Sequence, residues 1–93
     1  MSKMDRHWKD DEVAYCLGLV HNHGDDKVGH DPKSIATYLR LQASAAFSAQ
    51  QFEISARLGT AATAINEDAR NNHTPNWDRA FGLLMHICAT LNA

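Results

Sequence analysis

His21, His23 and His30, with Asp25 and Asp26, are the densest concentration of metal-ligating side chains in the sequence. Imidazole nitrogen and carboxylate oxygen together suit zinc or another divalent cation. Their spacing carries little weight, because no HExxH helix and no matched cysteine pair accompanies them. The tract also falls where a helix end and a loop are expected, and polar residues belong there in any case. Acid–base chemistry would have to draw on Asp10, Asp11, Glu12, Asp25 and Asp26, and a nucleophile–base pair on Cys88 and His86. The acids serve equally well as helix caps and loop solvation. Residues two apart on a helix do not face one another, which separates His86 from Cys88. The reading is therefore no catalytic residue, no metal ligand and no cofactor: the chain is expected not to be an enzyme.

Size and composition narrow the remaining classes. Ninety-three residues fit a single helical domain over 1–93, and a chain of that length hides only about 60–65% of its extended surface, leaving a thin core that self-association would reinforce. Fourteen Ala and two Pro favour helix, and no stretch alternates apolar with polar residues over a strand's length. A net charge of −2 supplies no general attraction to phosphate backbones or anionic lipid. Cys16 and Cys88 each sit in an apolar helical pattern and are expected as two buried thiols rather than a disulfide or zinc site. The opening MSKMDRHWKDDE lacks the apolar core of a secretory signal, and no run approaches the roughly 20 apolar residues that span a bilayer. A reducing, cytoplasmic setting is expected. Asn72-His73-Thr74 matches a glycosylation acceptor, but Pro75 beside it favours a helix cap.

The elements follow from punctuation and periodicity. A first helix is expected from Trp8–Asp10, with Asp10, Asp11 and Glu12 against its first-turn N–H groups and Val13, Cys16, Leu17 and Val20 inward. Gly24 is expected to end it in a left-handed conformation, with residues 24 to 31 as a loop. Asp31-Pro32 is a cap followed by a first-position proline, opening a second helix anchored by Ile35, Tyr38, Leu39 and Leu41. Phe47, Ile54, Leu58, Ala61 and Ile65, spaced seven, four, three and four apart, mark a third helical stripe. The sequence does not decide between one long central helix over 32–69 and a bend near 41–45, where Ser44 offers a cap. Gly59 is expected to admit a close neighbour. Asn71-Asn72-His73 interrupts, and Thr74-Pro75 reopens a helix whose inward stripe is Trp77, Phe81, Leu84, Cys88 and Leu91, widened by Leu83 and Ile87, with His86 outward. The fold class is all-α: a small antiparallel bundle of three to four helices.

Two functional classes remain. The segment from Ser34 to Phe52 carries one charge, Arg40, amid Ala, Ser and Gln, less than a fully solvated helix presents. That favours a protein-interaction, regulatory or inhibitory module that binds another protein and itself as a homodimer, with Tyr38, Arg40, Phe47, Gln51 and Ile54 as the interaction surface. The alternative lies in Ile35 to Ser44, which looks like the segment entering a helix-turn-helix: Ile35, Ala36 and Leu39 pack the first helix and Leu41 follows the turn, with Arg40 where a turn glycine is usual. The resemblance implies DNA binding, with Ser44, Ser48, Gln50 and Gln51 toward base edges but almost no positive charge for phosphates.

Overall fold

The computed structural model describes residues 2–66 and 74–91, with side chains described over 12–66 and 74–89. Four helices make up the architecture: α1 (Ser2–Asn22), α2 (Pro32–Ser48), α3 (Phe52–Asn66) and α4 (Trp77–Leu91). There is no strand among the described residues; a lone bridge joins Asp25 and Gly29. No described helix is long and apolar enough to cross a membrane. Asn71-Asn72-His73, and with it most of the possible glycosylation site, lies outside the described residues.

Helix α1 starts at Ser2, well before the expected Trp8–Asp10. The opening residues contain neither Gly nor Pro, so nothing stops the helix extending backwards, and Asp10, Asp11 and Glu12 fall in its middle rather than its first turn. Its inward face is Val13, Cys16, Leu19 and Val20, with Leu17 packed only partly. His23 (φ 55) is the left-handed residue that ends the helix, and Gly24, expected in that place, follows it with its own positive φ of 115. The Gly24 N–H donates to the Leu19 carbonyl at 2.8 Å and that of His23 to Val20 at 3.3 Å, the paired bonds of a Schellman ending.

Asp31 caps α2 as expected: its carboxylate accepts from the Lys33 N–H at 3.2 Å, and Pro32 opens the helix. The helix then runs unbroken through Arg40–Ser44, which removes the bend near 41–45 that the sequence left open as one alternative, and the helix-turn-helix turn at Arg40. The break comes at 49–51 instead, so the central segment is two helices. Gln50 is left-handed (φ 65), the Gln51 N–H donates to Ala46 at 2.8 Å and the Gln50 N–H to Phe47 at 2.9 Å. This second Schellman ending has glutamine where glycine is usual, which is why the sequence shows no stop there. A side chain strains this position. Gln50→Gly is expected to stabilise the fold by up to about 1 kcal/mol, seen as a higher urea midpoint at unchanged slope.

Phe47 therefore belongs to α2, and the third stripe begins at Ile54, continuing through Leu58, Ala61 and Ile65. Helix α3 lies between α2 and α4, while α1 packs on α4 and touches α2 more lightly. The Ser55 hydroxyl donates to the Ala43 carbonyl at 2.8 Å, fixing α3 against α2. A Cβ at Gly59 would meet nothing within 4 Å, so this glycine admits no close neighbour. Ser44 is interior to α2, and Leu41, expected as an anchor, points out with 62% of its surface exposed. Helix α4 starts at Trp77 with Asn76 as its cap, the side-chain oxygen accepting from the Arg79 N–H at 3.2 Å. Two residues intervene between Thr74 and that start, which denies Thr74 the cap expected of it. Ala80, Leu84 and Ile87 are buried, with Trp77, Phe81, Leu83 and Cys88 packed at the margin.

Candidate functional site

The polar end of the molecule uses its titratable groups to hold a loop. The Asp25 carboxylate accepts from the Tyr15 hydroxyl and from the Lys27 and Val28 N–H groups at 2.9 and 2.8 Å. These bonds, the Tyr15 hydroxyl first, hold its pKa below the usual carboxylate range, and the same contact pushes Tyr15 up to about 12. His23 stacks on Trp77 with ring centroids 4.2 Å apart and 12° between planes. His21 packs against Phe81 at 5.6 Å, and His30 places Nδ1 3.1 Å from the His23 carbonyl oxygen. Each group in the tract apart from Asp26 is thus seen in a structural contact. Among the described residues, no group of three or more His, Cys, Asp or Glu is arranged to hold a metal ion.

The thiols are likewise placed by packing. Cys16 is buried and its pKa is pushed up to about 12, chiefly by loss of water around the thiolate. Cys88 is half-buried rather than fully internal, and neither cysteine is in a disulfide. His86 is exposed on α4, as its place in the helical pattern implies.

The other end of the bundle is apolar and open. Because the Schellman ending reverses the chain within three residues, the last turn of α2 and the first of α3 present Phe47 and Phe52 side by side. Their rings meet edge to face at 5.0 Å and 67°, yet remain 61% and 55% exposed. Beside them lies an open groove of about 300 Å³ lined by Gln50, Gln51, Phe52, Glu53, Ile54, Arg57 and, from α4, Ile87. An ion pair closes one rim, with Arg57 Nη2 3.0 Å from Glu53 Oε2. The corner thus offers a protruding aromatic pair, an apolar-floored hollow and a balanced pair of charges.

The five expected surface residues are divided by the fold. Phe47 is exposed at the corner, and Gln51 forms part of the groove wall, half-buried. Arg40 is exposed on α2, two turns before Phe47. Ile54 does not belong to the expected surface: at 8% exposure it is in the core, sharing the inward stripe of α3 with Leu58, while the break leaves Phe47 outside that stripe. Tyr38 is half-buried elsewhere, its hydroxyl donating to Glu12 Oε1 at 2.9 Å and its ring edge-on to Tyr15 at 5.5 Å. Burial, then the Glu12 carboxylate, raises its pKa. That residue ties α1 to α2. Phe52 was the corner residue the sequence pattern missed. Five positions after Phe47, it would lie about 140° away on a continuous helix, and only the break brings the two rings together.

Comparison of the chain with protein-family models, with curated proteins and with solved structures gives no match. The functional reading accordingly rests on the surface just described.

Proposed function

We propose that this chain is a non-catalytic protein-binding module, regulatory or inhibitory in effect, that acts through the α2–α3 corner in the cytoplasm. One observation carries the reading: Phe47 and Phe52, the apolar side chains best suited to anchor an interface, stand together in solvent beside a groove. Two large rings exposed side by side forfeit the burial that drives folding, and a partner's surface recovers it. The neighbouring α2 surface, with Ser44, Ser48 and Arg40, carries too little positive charge to anchor a phosphate backbone and supplies hydroxyls suited to a polar rim.

The test is capture by the tagged chain from extract of its own cells, in parallel with retention on mixed DNA fragments over a salt series. A stoichiometric protein retained by wild type, lost by Phe47→Asp and kept by Thr63→Asp on exposed α3 surface is the expected result. Salt-sensitive DNA retention that Arg40→Glu abolishes and Phe47→Asp leaves intact would replace this reading with DNA binding.

A further inference from the structure

We infer that the partner at this corner is a second copy of the same chain, docked about a two-fold axis; the inference rests on the protein-binding reading above. A two-fold interface must be self-complementary, each copy offering both the projection and the recess that receives it. Here the projection and the recess share a wall. Phe52 packs on Phe47 on one side and lines the groove on the other. An axis running beside that wall sends each copy's Phe47 toward the other's groove, whose floor is Ile54 and Ile87.

Charge agrees with this arrangement. Glu53 and Arg57 sit four apart on α3 at the groove rim, joined within one copy at 3.0 Å. When two α3 helices meet antiparallel about the axis, Glu53 of each copy lies opposite Arg57 of the other, so the rim forms four alternating charges without a like pair. A face of zero net charge gains nothing from a strongly charged partner and suffers no repulsion from itself. Arg40 lies about 10 Å along α2 from Phe47, outside that rim. The rings supply the centre of the interface: at the measured exposures, two Phe side chains leave on the order of 200 Å² open per copy. A stable dimer covers about 600–800 Å² per partner, so the polar rim and the neighbouring α2 surface must furnish the remainder.

Sedimentation velocity with light scattering, over a wide concentration series, is the test. The expected result is a mass rising to twice 10.3 kDa, and weakening of the dimer by about tenfold or more in Phe47→Asp, Glu53→Arg and Arg57→Glu taken singly. Mixing the Glu53→Arg and Arg57→Glu chains restores the dimer, because each acidic pair then faces a basic pair. All three positions are at least partly exposed, and circular dichroism confirms that each variant is folded before its mass is read. A wild-type chain that stays at 10.3 kDa throughout overturns the inference, as does a dimer indifferent to all three changes or one that the mixture fails to restore. If the chain is monomeric but still captures a different protein through Phe47, self-docking is wrong and the protein-binding reading stands. If Phe47→Asp alters neither mass nor capture, both are wrong.

Discussion

Leu84→Asp is expected to leave the chain largely unfolded. Leu84 is 0% exposed on α4, at the level where that helix packs against α1 and α3. Truncating a buried leucine costs about 2–5 kcal/mol, and a carboxylate left without a partner in an apolar site adds several more unless it takes up a proton. A domain of this size has roughly 5–10 kcal/mol in total to lose. Far-UV circular dichroism at neutral pH should show the helical signal collapsed, with partial recovery on acidification as the new carboxyl becomes neutral. Met85→Asp, next in sequence but on the exposed face, serves as the control and should cost little. A folded Leu84→Asp protein with an unchanged urea midpoint would mean α4 is rotated from the orientation described.

Gly24→Ala should be the most damaging single-methyl change in the molecule. Its backbone sits at φ +115, and a Cβ there would lie 2.2 Å from the Gly29 carbonyl oxygen and 2.7 Å from the His30 Cα. Both are backbone atoms, so relief requires the whole loop to open. That loop is closed by Gly29 donating to the Asp25 carbonyl at 2.8 Å and by the Asp25 side chain's bonds to Tyr15, Lys27 and Val28. The combined strain and clash should cost about 3 kcal/mol or more, a fall in Tm of roughly 15 °C for a chain of this length. Gly29→Ala separates the two causes, since Gly29 also has a positive φ of 97 but open space around its Cβ. It should cost only about 1 kcal/mol. Equal Tm losses for the two variants would show that steric contact at residue 24 is not what holds the loop.

The outline of the fold was legible because it depends on burial and on proline. The stripes through Val13–Val20 and Ile54–Ile65 each carry enough apolar area to fix a helix face, the face of α4 is turned from the expected Trp77, Phe81, Leu84 and Cys88 to centre on Ala80, Leu84 and Ile87, and Asp31-Pro32 marks a start by chemistry that has few other uses. Helix ends were harder to read wherever a side chain occupies a position that usually selects glycine. His23 and Gln50 both take left-handed conformations within Schellman pairs of backbone hydrogen bonds, and neither residue type announces it. One missed break had the largest consequence. The charge-poor segment placed Ile54 on the surface although its spacing groups it with Leu58, Ala61 and Ile65 in the core, and an unbroken 47–65 stripe separates Phe47 from Phe52, which the turn at Gln50 brings together. Tyr38 was placed on the surface for a related reason: only the approach of α1 in space reveals Glu12 as its partner.

Site-specific photo-crosslinking in the producing cell tests the corner most directly. A photoreactive amino acid replacing Phe47 samples the space beside Phe52, while the same probe at Ala14 samples an exposed position on another helix, α1. Discrete protein adducts are expected at position 47, either at twice the chain's own mass or at that mass plus the mass of one other protein, and lost when Phe52→Asp is added. Adducts no different from those at Ala14, or unaffected by Phe52→Asp, would contradict the assignment of the α2–α3 corner as a protein-binding surface.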